Sequence, residues 1–168
     1  MEKLRVSDLM TPDPVTVSPR DTVLTALELM RDSRIRHVPV VEDDGELIGI
    51  LSDRDLSSAP AVIVRRRPAE DAVEGEQEEE EIQGRDAVRA LPVQDIYIRD
   101  PETIDEDADL SEAARILLEN KFGCLPVMRG RELVGIVTES DFVRYVLDQL
   151  EGEPDERREG QLRGATRP

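Results

Sequence analysis

The chain has no tryptophan, two phenylalanines and two tyrosines in 168 residues, with one cysteine and one histidine. So few rings leave the core to Val, Leu, Ile and Ala. Cys124 alone can form neither an intrachain disulfide nor a cysteine zinc site. His37 is the only histidine and starts an apolar run, which reads as a structural position. No apolar run approaches the ~18 residues of a membrane span. Met1-Glu2-Lys3-Leu4-Arg5 leads into a polar segment instead of an apolar h-region, so no signal peptide or membrane insertion is expected and the location is read as cytoplasmic. Lysine is nearly missing (Lys3 and Lys121), and the formal net charge is −17. A nucleic-acid binder needs a basic footprint, and none of any breadth is present. The acidity fits a protein working in high salt, or equally a GC-rich genome with an acidic linker. There is no Walker loop, no G-x-G-x-x-G, no H-E-x-x-H and no paired-cysteine metal spacing.

What is present is a repeat. Asp8 and Asp95, Pro14 and Pro101, and Pro39 and Pro126 are each 87 positions apart, while Gly49 to Gly135 and Asp55 to Asp141 span 86. Register held by prolines, a glycine and an aspartate over some 45 positions is a true internal repeat. In the first copy, residues 6–10 give at best a short helical turn. Thr11-Pro12-Asp13-Pro14 breaks it. A short strand is expected at Val15-Thr16-Val17. A helix over 22–32, capped by Asp21, carries Val23, Ala26, Leu27 and Met30 on one face. His37-Val38-Pro39-Val40-Val41 reads as a strand whose proline implies an edge or a bulge. Glu42-Asp43-Asp44-Gly45 supplies a turn into a hairpin partner over 47–51. In the second copy, Asp109 caps a helix with Leu110, Ala113, Ala114, Leu117 and Leu118 on one face, and Gly123 stands where a glycine ends a helix. A last helix carries Phe142, Val143, Val146, Leu147 and Leu150.

Each copy closes on the same element. Gly49-Ile50-Leu51-Ser52-Asp53-Arg54-Asp55 and Gly135-Ile136-Val137-Thr138-Glu139-Ser140-Asp141 run a short apolar strand into a hydroxyl residue, with an aspartate three positions later. The hydroxyl reads as a helix N-cap, and a helix N-terminus favours an anion such as phosphate. The aspartate has acceptors for a vicinal diol such as a ribose. The same pattern also reads as a plain capping box with Asp in place of Glu.

The chain divides into a first repeat over 6–58, an acidic linker over 59–90, a second repeat over 91–150 and a charged tail over 151–168. The linker holds Arg65-Arg66-Arg67 and then Glu78-Glu79-Glu80-Glu81, too polar to order itself by burial. A short helix is expected to begin at Gly84. A unit of ~50 residues buries little surface, so the two are expected to pack sheet to sheet around a pseudo-two-fold axis.

Leu9-Met10-Thr11, Pro14-Val15-Thr16-Val17, His37-Val38-Pro39-Val40-Val41 and Gly49-Ile50-Leu51-Ser52-x-Arg54-Asp55, each recurring once, resemble a tandem pair of cystathionine-β-synthase (CBS) domains, a Bateman module. The resemblance covers nearly all of both units. It implies an α/β (α+β) fold of two β-α-β-β-α repeats, commonly dimerised, with adenosyl ligands in the clefts between repeats. By resemblance Asp55 and Asp141 take ribose hydroxyls, with Ser52 and Thr138 near phosphate. Each cleft then draws on the other repeat: Asp13, Pro14, Ile35 and Arg36 with Asp141, and Asp100, Pro101, Phe122 and Gly123 with Asp55. Arg36 brings a guanidinium to the Asp141 cleft, where Gly123 is its uncharged counterpart; Arg54 lies in the Asp55 cleft and Ser140 in the other. The Asp141–Arg36 cleft is preferred as the phosphate site. The implied function is a non-enzymatic regulatory module, requiring no cofactor, that senses AMP or another adenosyl compound, forms a homodimer and acts on an unidentified protein. The alternative is a ligand-free dimerisation subunit of a transporter or enzyme.

Overall fold

A computed structural model describes residues 3–55 and 90–151. The Arg65–Arg67 patch, the acidic run, the helix expected from Gly84 and the tail beyond Glu151 lie outside the described residues.

A single turn of 3₁₀ helix at Val6–Asp8 opens the chain and leads into β1 (Thr11–Pro12). Then come α1 (Val23–Ser33), β2 (His37–Val41) and β3 (Leu47–Ser52). After the linker a second 3₁₀ turn (Val93–Asp95) leads into β4 (Ile98–Arg99) and β5 (Ile104–Asp105). The chain continues through α2 (Leu110–Asn120), β6 (Cys124–Arg129), β7 (Glu132–Thr138) and α3 (Glu139–Glu151). The strand expected at Val15-Thr16-Val17 shrinks to one parallel bridge, Val17 to Val40. Its second-repeat counterpart, β5 on β6 at Ile104 to Val127, has two bridged residues.

The sheets join the repeats by exchange. Among the described residues one sheet runs β1-β7-β6-β5 and the other β2-β3-β4. β1 belongs to the first repeat by sequence but pairs with β7 of the second, and β4 pairs with β3 of the first. The 3₁₀ turns cross over in the same way. Val6 is fully buried in the second repeat's core with Ile104, Leu117 and Leu125, and Val93 is fully buried in the first with Val23, Met30 and Leu51. Each such valine stabilises the packing by roughly 1.5–3 kcal/mol. The backbone repeats the exchange: Val6 N donates to Ala108 O, Ser7 N to Glu106 O and Leu110 N to Leu4 O. In equivalent register, Val93 N donates to Asp21 O, Gln94 N to Pro19 O and Val23 N to Leu91 O. The two units are therefore related by a pseudo-two-fold axis and share their cores.

Two glycines permit the crossing. A Cβ on Gly49 would meet the Tyr97 ring at 2.0 Å and Ile98 O at 2.7 Å; one on Gly135 would meet Met10 Sδ at 2.4 Å. Met10 and Tyr97 are equivalent, so each lead-in strand lays one large side chain over the other repeat's glycine.

Several local expectations are corrected. Thr22, not Asp21, is the N-cap of α1: its side chain accepts from Thr25 N at 3.1 Å, while the Asp21 carboxylate accepts from Ser18 N at 2.8 Å. Asp109 holds the N-cap position of α2, but its carboxylate accepts from Lys3 Nζ at 2.7 Å instead of capping. Gly123 does not end α2. The left-handed residue there is Lys121 (φ 57), matched by Arg34 (φ 56) after α1. In both, the next residue's N–H reaches back into the last turn, Ile35 N to Met30 O and Phe122 N to Leu117 O, which offsets the ~1–2 kcal/mol strain of a non-glycine there. Leu118 leaves the expected stripe and is 78% exposed. The bulge foreseen beside Pro39 falls between Val40 and Val41.

Candidate functional site

The site elements start where β3 and β7 end. Ser52 N and Oγ both donate to Asp55 Oδ2, at 2.9 and 2.6 Å, and Asp55 N donates to Ser52 Oγ at 3.3 Å. Thr138 N and Oγ1 both donate to Asp141 Oδ2, at 2.8 and 2.7 Å. The first repeat thus forms a full capping box, and in the second Asp141 takes both Thr138 bonds through one carboxylate oxygen. A carboxylate has about four acceptor positions, so capping and diol binding are compatible. Asp141 is buried, and its Oδ1 lies 3.7 Å from Arg144 Nη1, beyond hydrogen-bond range.

A cleft of about 380 Å³ opens between the repeats beside Asp55, within the range of small-molecule sites. The first repeat contributes Ser52, Arg54 and Asp55 from the end of β3 onward, and Ile50 from within it. The second contributes Asp100 and Pro101 from the turn after β4, and Phe122 and Gly123 from the turn before β6. All the residues expected beside Asp55 thus line one cleft. The β4–β3 pairing is the cause: it carries Asp100, in the left-handed conformation at φ 48, onto the first repeat's sheet. The equivalent Asp13 has φ 47, and its N–H donates to Val134 O on β7. Ile35 packs against the first core, while Arg36 and Ser140 are exposed.

His37, Lys121 and Cys124 also line the Asp55 cleft, and sequence reasoning assigned none of them there. His37 sits across β2–β3 from Ser52. A Cβ on Gly123 would lie 2.5 Å from His37 Nε2 and 3.4 Å from Arg54 Nη2. Gly123 is thus required by close approach of the imidazole and not by helix termination. Its spacing from Pro126, matching that of Arg36 from Pro39, was the visible signal. Burial lowers the His37 pKa; the nearby Asp53 raises it, Arg36 and Arg54 lower it further, and Asp55 raises it. Burial alone pushes the Cys124 thiol up to about 12. Among the described residues, no group of three or more His, Cys, Asp or Glu is placed to hold a metal ion, and no helix is long and apolar enough to cross a membrane.

The CBS domain model matches residues 6–62 and 93–148. A CBS domain-containing protein of Dictyostelium discoideum is 32% identical over 154 residues, covering 90% of this chain and 97% of that protein. An uncharacterized Methanocaldococcus jannaschii protein is 30% identical over 152 residues, 90% of this chain, which spans only 34% of that relative. Among solved structures, CBSX2 of Arabidopsis thaliana in complex with AMP is 30% identical, covering 88% of this chain and 98% of that one, with a TM-score of 0.65. The exchanged lead-in strands, the hydroxyl–aspartate pair repeated after β3 and β7, and these matches lead to one assignment: the chain belongs to the CBS domain family, as a tandem pair of CBS repeats.

Proposed function

We propose that this chain is a non-enzymatic regulatory module that binds AMP or another adenosyl compound between its repeats. The observation that carries the reading is the Asp55 cleft, where a carboxylate at a helix start faces Asp100, Pro101, Phe122 and Gly123 of the other repeat. The AMP complex of CBSX2 supports the ligand class. In this reading Asp55 accepts from the ribose hydroxyls. Pro101 and Phe122, with Ile50 and Ile98, offer apolar surface for a purine. Ser52 and Arg54 lie toward the phosphate. Asp141, with Asp13, Pro14, Ile35 and Arg36, forms the second cleft, with Thr138 and Ser140 on its phosphate side.

Binding regulates only if the ligand distinguishes two arrangements of the repeats. Because each repeat holds a strand and a core valine of the other, a shift of one moves both. The regulated protein is unidentified, and a cytoplasmic location belongs to the same reading. A second copy of the chain is the proposed occupant of the outer face of α3, where Val143, Val146 and Leu150 are 68, 53 and 80% exposed. Contiguous apolar surface of this kind marks an interaction site.

Calorimetric titration with AMP tests the site. Asp55→Asn and Asp141→Asn keep the cap's shape and remove the charge. Loss of a charged acceptor costs about 1.5–3 kcal/mol, so each variant is expected to weaken its own cleft at least tenfold. Affinity unchanged in both variants refutes the assigned role.

A further inference from the structure

We propose that the contact between His37 and Gly123 is a proton-operated latch between the two repeats, closed while the imidazole is neutral and opened when the imidazole takes up a proton. His37 starts β2 of the first repeat, and Gly123 lies in the turn before β6 of the second. The far edge of the ring meets that turn: Nε2 lies 2.5 Å and Cε1 2.7 Å from the point that a Cβ on Gly123 would occupy. Only a residue without a side chain admits the ring so closely, and the approach strips water from the Nε2 edge. The contact spans the repeat boundary and forms part of the cleft wall, so opening it changes the width of the cleft. It needs no ligand, and the inference therefore stands apart from the adenosyl reading.

The repeat makes the device one-sided. The position equivalent to His37 is Cys124, and the position equivalent to Gly123 is Arg36. The second pair thus has neither an imidazole nor bare backbone for one to rest on. The Cys124 thiol, pushed up to about 12 by burial, stays uncharged over the range in which an imidazole titrates.

Charging the ring costs hydration, because the other repeat's backbone covers its Nε2 edge. From the first repeat, Asp53 and Asp55 favour the charged ring, while Arg36 and Arg54 oppose it. From the second, Lys121 at the end of α2 opposes it, and Asp100 and Glu102 between β4 and β5 favour it. Burial is the largest of the influences on the imidazole and holds it below its ordinary value. The unfolded chain therefore takes up this proton at higher pH than the folded one. The stability tied to His37 is whole above the unfolded value of about 6.5 and is lost as pH falls from there through the folded value. Opening the latch rehydrates the ring edge and restores its proton affinity, so protonation and opening drive each other.

His37 is the chain's one imidazole, so NMR titration of the full chain reads it directly. Its ring C–H resonances are expected to titrate with a midpoint below that of the urea-unfolded chain, and the Gly123 and Cys124 amides to shift with the same midpoint. Gly123→Ala should push the ring tip into water and raise the midpoint toward the unfolded value. His37→Gln has no proton to take up. From about pH 7.5 to about pH 5.5 the parent's urea midpoint should therefore fall further than the variant's, with the carboxylates common to both and cancelling. A folded midpoint at or above the unfolded one overturns the latch. So does a Gly123 amide that ignores the His37 titration, a Gly123→Ala chain whose midpoint stays where it was, or an equal loss of urea midpoint in parent and His37→Gln. The NMR titration needs only the parent chain, so it decides even where a variant fails to fold.

Discussion

Replacing Gly49 by alanine should break the crossing of the two repeats at one point. In an ordinary strand, Gly→Ala stabilises by about 0.4–1 kcal/mol, because the unfolded chain loses freedom. Here the added methyl meets Tyr97 Cδ2 at 2.0 Å, Cε2 at 2.4 Å and Ile98 O at 2.7 Å. The ring is held by its place against the first core and by Arg99, whose guanidinium lies 5.2 Å from its centroid. The carbonyl belongs to β4 and moves only if the strand moves. Overpacking of this kind costs about 1–3 kcal/mol, so a net loss of roughly 1–2 kcal/mol is expected. At this chain length each kcal/mol lowers Tm by about 2–4 °C. Gly135→Ala is the internal control. Its methyl meets Met10 Sδ at 2.4 Å and Cγ at 3.0 Å, with Thr11 O at 3.2 Å, and a flexible thioether swings aside at little cost. That variant should fall within about 0.5 kcal/mol of the parent, as ordinary mild substitutions do. Thermal and urea unfolding of both proteins supply the comparison. Adding Tyr97→Ala to Gly49→Ala should recover part of the loss, a coupling that a double-mutant cycle isolates. Gly49→Ala at or above parental stability would refute the close packing of Tyr97 and β4 on β3. The same variant should weaken ligand binding, since β4 carries Asp100 and Pro101 into the cleft.

Cys124 is the chain's one thiol, so its chemistry reads out directly. With its pKa pushed from 9.0 to about 12 by burial, it should resist a thiol reagent at pH 8 until the fold opens, and urea should raise the labelling rate by orders of magnitude. The folded state holds this proton where the unfolded chain releases it, so stability should fall as pH rises from about 9 toward 12; a cysteine-to-serine comparison of urea midpoints at pH 8 and 10 measures the difference. For the outer face of α3, Val146→Glu with Leu147→Glu should convert a dimer to a monomer in sedimentation experiments. A parental chain that sediments as a monomer would remove the second copy from the proposal.

Much of this molecule can be read from its residues. The 87-position offset reveals two copies, and alternation and helical spacing place β2, β3, α1 and their counterparts, because those signals are local. The hydroxyl-x-x-aspartate element is equally legible: a cap forms between residues three apart whatever surrounds them. Its partners across the cleft were reached through family resemblance. His37, Lys121 and Cys124 were missed as cleft residues because nothing within a few positions of them points across the repeat boundary.

Which repeat receives which lead-in segment belongs to the tertiary structure alone. Val6 and Val93 are the same residue in equivalent positions, and so are the turns that follow them. Local pattern gives neither a preference for its own core over the other's. Only the packed molecule separates the alternatives, by seating Tyr97 on Gly49 and Met10 on Gly135 and repeating the same backbone bonds on both sides. The cleft follows from that exchange. Asp55 is a helix cap by sequence; it faces Asp100, Phe122 and Gly123 because β4 crosses to β3. What each repeat is built from follows from contacts between near neighbours along the chain. The long-range pairing of two units of the same plan decided where the site lies.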